Sequence, residues 1–197
     1  MTLSALFGYL IFAFLTTITP GPNNLVLFNN GKVYGVRASI NLMTGVITGF
    51  FTLLCVTGYG VGSLITQNIY LAMILKIAGS FWLLYLGYSM MHLNINPDIT
   101  YKNLGLKEGY LLQFVNPKGW IMAVSGAGAF MPHFGNLHVN VLIFAGIFAL
   151  VGIPSMLSWV YLGDSISRLI KSKKANKILG WGLFLLMILS VVMIWRE

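Results

Sequence analysis

Acidic side chains are almost missing from this chain, which has four Asp and Glu against twelve Lys and Arg in 197 residues. None of the four, Asp98, Glu108, Asp164 and Glu197, falls in the interior of an apolar run. That shortage leaves a membrane enzyme without the acid or base it would need at depth. Cysteine is scarcer still. Cys55 stands alone in an apolar stretch, so there is no disulfide framework, no CxxC redox pair and no thiolate cluster, and it reads as a small packing residue. His92, His133 and His138 all lie in loops, and the pair His133 and His138 is too small a set to argue for an external metal site. Neither a metal nor a cofactor is expected.

Charge of any kind is rare at 8%, while 57% of residues are hydrophobic and the mean hydropathy is +0.83. These values lie outside the soluble globular range and indicate an all-α integral membrane protein. A bilayer asks for about 20 apolar residues per helical crossing. Six segments meet that need: Leu3 to Thr19, Ala38 to Tyr59, Tyr70 to Met91, Tyr110 to Met131, Val139 to Leu162 and Ile178 to Trp195. Nothing else is long enough for a soluble domain, so residues 1–197 are expected to form one membrane domain in a lipid bilayer.

The net charge of +8 does not suggest nucleic acid, because the basic residues alternate between loops. Lys32 and Arg37 follow segment 1, Lys102 and Lys107 follow segment 3, and Arg168, Lys171, Lys173, Lys174 and Lys177 follow segment 5. The loops after segments 2 and 4 carry none. By the positive-inside rule the basic loops are cytoplasmic and both termini lie outside. Segment 1 lacks a basic leader and a small-residue cleavage site, so it is expected to be retained.

Two stretches interrupt this apolar pattern. The first is Thr19-Pro20-Gly21-Pro22-Asn23-Asn24. Pro20 and Pro22 remove backbone donors and free carbonyls near Thr16 to Ile18, while Gly21 allows the chain to bend and approach a ligand. Irregular backbone at membrane depth is tolerated only where protein or a wet cavity satisfies it, so an interrupted helix resuming through Leu25 to Phe28 is expected. Asn23 and Asn24 would cap the resumed helix, whose amides attract a carboxylate. The second stretch is Gln113-Phe114-Val115-Asn116-Pro117-Lys118-Gly119-Trp120. Either Pro117 and Lys118 break a membrane helix and face the bundle interior, or the helix begins at Pro117 with Lys118 at the interface. The residues alone leave both readings open.

Elsewhere, Gly45 and Gly49 have the small-xxx-small spacing of close helix packing. Pro154 should kink segment 5. Asp164 reads as a solvated helix-end carboxylate beside Arg168, and Lys76 as a snorkelling interface residue. Residues 92–109 look like a cytoplasmic linker between a first three-helix half, 1–91, and a second, 110–197. Three crossings per half put the halves in opposite senses, the inverted plan of many secondary transporters. The two interrupted stretches then fall in the same half of the membrane and could face each other.

The Pro-Gly-Pro-Asn-Asn stretch, the basic turn from Gly31 to Arg37, the Gly45/Gly49 helix and Phe114-Val115-Asn116-Pro117-Lys118 together resemble the LysE/RhtB family of bacterial amino-acid exporters. Length, segment count and motif order agree over essentially the whole chain. Asn23-Asn24 and the run Gln113 to Asn116 look most like the cysteine and O-acetylserine branch. The resemblance implies efflux of amino acids across the bacterial inner membrane, coupled to the proton motive force. With no buried acid to pair with a cationic side chain, neutral substrates of the cysteine, O-acetylserine, threonine or homoserine type are expected. Export of basic amino acids and a channel for another small solute are the alternatives. The expected site is Pro20, Gly21, Pro22, Asn23, Asn24, Asn116, Pro117, Lys118 and Trp120. Asn23 and Asn24 amides and Lys118 would hold the carboxylate, and the Ile18 carbonyl and the Trp120 face would hold the ammonium. A homodimer through the glycine-lined segment is left open.

Overall fold

The computed structural model describes residues 2–62, 67–95 and 103–196. Seven helices are named here: α1 (Leu3–Ile18), α2 (Pro22–Gly58), α3 (Ile69–Ile95), α4 (Leu106–Val115), α5 (Pro117–Phe130), α6 (Leu137–Leu169) and α7 (Lys173–Arg196). No strand occurs among the described residues. By length and composition α2, α3, α6 and α7 can each cross a membrane, and α1 is a shorter apolar helix. The chain is therefore a multi-pass membrane protein. Of the expected linker, Pro97 and Asp98 lie outside the described residues, and Glu108 proves structural, its Oε2 accepting from Gly105 N at 2.9 Å to cap α4.

Segment boundaries differ from expectation in three places. The helix that resumes at Pro22 does not stop at a basic turn but runs through Lys32 and Arg37 to Gly58, bent only at Gly35 (φ 81°, ψ 174°). A side chain at that left-handed backbone would be strained. Segment 4 is two helices, α4 and α5, parted at the extended residue Asn116. The two readings of Pro117 are thus both partly realised, since a helix precedes it and a new one begins there. Segment 5, expected from Val139 to Leu162, is helical from Leu137 to Leu169 with Pro154 inside it.

Helix α2 is the spine, and glycines set its neighbours. Its first arm, 22–34, lies along α6, where a Cβ at Gly31 would strike the Val160 backbone and one at Gly163 would strike Phe28 and Lys32. Its second arm, 36–58, lies along α4, with Gly45 against the Leu106 backbone, Gly49 against Tyr110 and Gly109 against Leu42. The expected role of Gly45 and Gly49 is what the structure shows. Without a hydrophobic force between helices in lipid, such backbone proximity is the main source of association.

Helices α1 and α6 run parallel, tied near one end by Tyr9 Oη donating to Phe144 O (2.6 Å) and at the other by Trp159 Nε1 donating to Ile18 O (3.1 Å). Helices α3 and α7 run antiparallel and pack chiefly on each other, through Gly87 against Met187 and a 2.9 Å bond from Trp195 Nε1 to Ser80 Oγ. The buried apolar residues fall into two clusters. One contains Tyr9, Ala13, Leu53, Ala123 and Phe148; the other contains Leu25, Leu42, Leu112, Met156 and Val160. Along α1–α2 and along α4–α5 the chain leaves one cluster and enters the other at the breaks, 19–21 and 116. A polar layer therefore separates two apolar cores.

Candidate functional site

The two breaks meet in that polar layer. Prolines at the first helical position start both α2 and α5, where a missing N–H costs nothing, and neither N-terminus has a side-chain cap. The first intrahelical bonds are made by Leu25 N to Gly21 O and Trp120 N to Asn116 O. Helix geometry therefore leaves the amides of Asn23, Asn24, Lys118 and Gly119 without partners in their own helices. Two positive helix ends thus converge on one place, which suits an anion.

The expectation that Asn23 and Asn24 cap α2 is overturned. Gly21 holds the cap position, and both asparagines turn elsewhere. Asn24 reaches back, its Nδ2 donating to Thr17 O (2.7 Å) and Thr19 O (2.8 Å), so it closes the frayed end of α1. Asn23 faces α4 and forms a paired amide with Gln113: Asn23 Nδ2 donates to Gln113 Oε1 (2.8 Å), and Gln113 Nε2 donates back to Asn23 Oδ1 (3.2 Å). Asn116 Nδ2 also donates to Asn23 Oδ1, at 3.1 Å. The three amides bind the two breaks together across the layer.

The groups expected to hold the ammonium already carry hydrogen bonds. Ile18 O already accepts the Trp159 indole, and Trp120 points its Nε1 at Phe114 O (2.9 Å), satisfying a carbonyl freed by Pro117. Trp120 lines neither cavity described below. What occupies the carbonyls at the end of α1 is Lys118. Its Nζ donates to Thr19 Oγ1 (2.9 Å), Thr19 O (3.0 Å) and Pro20 O (3.3 Å), using all three ammonium hydrogens. Gly21 explains itself here. Its backbone is fully extended, a conformation open to any residue, but a Cβ would come within 2.9 Å of Lys118 Cδ and 3.0 Å of Nζ.

Two adjoining cavities share Thr16, Gly21, Pro22, Asn116, Lys118 and Met122. The smaller, about 40 Å³, also reaches Asn23, Asn24 and Gly119. The larger, about 390 Å³, adds Pro20, Thr19 and, from α7, Ser190 and Met193. The larger volume falls within the roughly 300–1,000 Å³ of small-molecule sites. No Asp or Glu lines either cavity among the described residues. Of the expected site residues, Pro20, Gly21, Pro22, Asn23, Asn24, Asn116 and Lys118 line these cavities, and Pro117 starts α5 beside them.

Sequence reasoning missed Gln113 and Trp159. Gln113 is fully buried, and its place three residues before Asn116, on one helical face, was the available signal. Trp159 carried none, since an indole in an apolar helix has no local mark of its partner. The peripheral residues behave more simply. Asp164 pairs with Arg168 at 2.7 Å, on a largely exposed guanidinium, and His138 Nδ1 sits 2.9 Å from Tyr59 Oη. Among the described residues no cluster of His, Cys, Asp and Glu could hold a metal ion.

Three relatives place these features in context. The chain is 29% identical over 187 residues to a leucine efflux protein of Enterobacter sp. (strain 638), covering 89% of this chain and 87% of that protein. It is 27% identical over 192 residues to the uncharacterized membrane protein YrhP of Bacillus subtilis (strain 168), covering 88% and 90%. It is 23% identical over 176 residues to a cysteine/O-acetylserine efflux protein of Klebsiella pneumoniae, covering 86% and 87%. No solved structure matches. The LysE type translocator family matches residues 14–195, which contain both breaks and all seven lining residues, and the chain belongs to that family.

Proposed function

We propose that this chain is a secondary-active exporter of neutral amino acids or close derivatives across the bacterial inner membrane, driven by the proton motive force. Its substrates are of the leucine, cysteine, O-acetylserine, threonine or homoserine type. The observation that carries this reading is the cavity at the two breaks, where uncapped N-termini of α2 and α5 and the Lys118 ammonium meet without an opposing carboxylate. Such a site takes a carboxylate, on the amides of Asn23, Asn24, Lys118 and Gly119. With no acidic lining residue, a second positive charge on the substrate side chain finds no compensation. The efflux named for two relatives points the same way.

The same proposal includes six crossings in two inverted halves, 1–91 and 110–197, with both termini outside. α1 with the first arm of α2 makes one crossing, and α4 with α5 makes another. In support, α1 runs parallel to α6, the second arm of α2 parallel to α4, and α3 antiparallel to α7, as inverted halves require. A reporter fused after Glu197 should therefore be active only on the outer side, and a cytoplasmic signal would remove this topology.

The functional test is the extracellular accumulation of leucine, cysteine, O-acetylserine, threonine, homoserine and lysine from cells overproducing the protein. Release of one or more neutral members, abolished by an uncoupler and by the double variant Pro22→Ala, Asn116→Ala, is the expected result. Release of lysine alone would assign the basic class instead. No release from folded, membrane-inserted protein would rule out amino-acid export.

A further inference from the structure

The amides at the breaks have a direction, and a single backbone carbonyl sets it. Gln113 Nε2 donates to Gly109 O at 3.0 Å within α4. Turning that amide over would place its oxygen against a carbonyl oxygen, so Nε2 is held toward Gly109 and Oε1 toward Asn23. Asn23 must then offer Nδ2 to Gln113 Oε1, which leaves its Oδ1 toward Asn116. Asn116 must in turn offer Nδ2 to Asn23 Oδ1. What remains is Asn116 Oδ1, an acceptor with no hydrogen-bond partner on a side chain only 2% exposed. Asn116 lines both cavities.

A buried acceptor left unpaired is costly, and it is satisfied by whatever donor enters the cavity. Lys118 is not that donor, because its three hydrogens are engaged by Thr19 and Pro20. We propose that Asn116 Oδ1 receives the substrate's α-ammonium and that Gln113, acting through Asn23, is the positioning residue that keeps this oxygen turned toward it. The proposal rests on the carboxylate site described above, and it completes that site with an acceptor a short distance from the helix amides. The amine is thereby selected by an uncharged oxygen of fixed polarity, which needs no acidic residue. A carboxylic acid lacking the amine would leave that oxygen unpaired.

The test measures binding of leucine and threonine to the purified full-length protein in detergent, against their deaminated counterparts 4-methylpentanoate and 3-hydroxybutyrate. Wild type should favour at least one amino acid over its counterpart by about tenfold or more, because a site built around a hydrogen bond rejects the analogue lacking it. Gln113→Met should reduce that preference to about threefold or less while leaving affinity for the deaminated acid within about twofold, since the amides are then free to turn either way. Adding Asn116→Asp to Gln113→Met should restore the preference, because a carboxylate has no wrong orientation. On the wild-type background Asn116→Leu should erase the preference. This variant tests the acceptor even if Gln113→Met does not fold. Full preference in folded Gln113→Met would overturn the positioning role. Equal wild-type affinity for amino acid and deaminated acid would overturn the acceptor and leave the carboxylate site standing. Binding of neither kind would remove the amino-acid reading and this proposal with it.

Discussion

The break between α1 and α2 takes three residues and is closed from a distance, whereas the break between α4 and α5 is a single residue closed from nearby. At the first, the carbonyls of Thr17, Ile18, Thr19 and Pro20 are satisfied by Asn24, by Trp159 of α6 and by Lys118 of α5. At the second, Trp120 returns to Phe114 O six residues back, and Asn116 N donates weakly to Gln113 O at 3.4 Å. The backbone of one break is therefore held in part by tertiary contacts from two other helices, and the backbone of the other by its own sequence. A break closed by remote groups can open when those groups move. A locally closed one does not depend on them. Lys118 belongs to both, since it rises from the locally closed break to hold the remotely closed one.

Removing that link should give the largest effect. Lys118→Met is expected to lower export by about 100-fold in protein that still folds, because Pro20 O loses its donor, Thr19 O keeps only Asn24, and the cavity loses its cation. Lys118→Arg should not restore it, since a planar fork does not fit three converging acceptors. Both are read from initial efflux rates normalised to membrane-inserted protein, and near-normal export by Lys118→Met would mean that the two breaks are not coupled. Gly21→Ala comes next. Its Cβ displaces the lysine without removing it, so an efflux decrease of about tenfold with an unchanged elution profile in detergent is expected.

The smaller effects separate the two kinds of closure. Trp159→Phe leaves Ile18 O unpaired and Trp120→Phe leaves Phe114 O unpaired, each costing about 1–3 kcal/mol of stability. Export should fall further in Trp159→Phe, at the remotely closed break, than in Trp120→Phe, at the locally closed one. Thermal unfolding paired with efflux for each variant reads both, and an equal loss of export would erase the distinction. Smallest of all, Pro117→Ala should change stability by less than about 1 kcal/mol, because a first-turn position needs no proline to remain helical.

Much of the site could be read before any coordinates. The first break and the prolines at both stretches follow from local chemistry, since proline has no N–H wherever it stands, and the loop charges allowed the two stretches to face each other. Side-chain direction did not follow. Asn23 and Asn24 are adjacent cap formers, and nothing in the sequence says that one turns back to α1 while the other turns across to α4. The basic stretch from Gly31 to Arg37 reads as a turn because it mixes glycine and charge. It is helical apart from Gly35 because Gly31 and Gly163 bring two backbones together, a benefit that only the partner helix supplies.

By itself, then, the sequence determined a helical membrane chain with two interrupted helices rich in amides and one lysine, because hydropathy and proline act through the residue that carries them. Only the tertiary structure decided which acceptor each donor reaches. Lys118 closes the end of α1, the Trp120 indole N–H serves a backbone carbonyl, and Gln113 joins the site from within a helix. The physical reason is that a hydrogen bond has two ends, and a sequence names each end without saying which pairs with which.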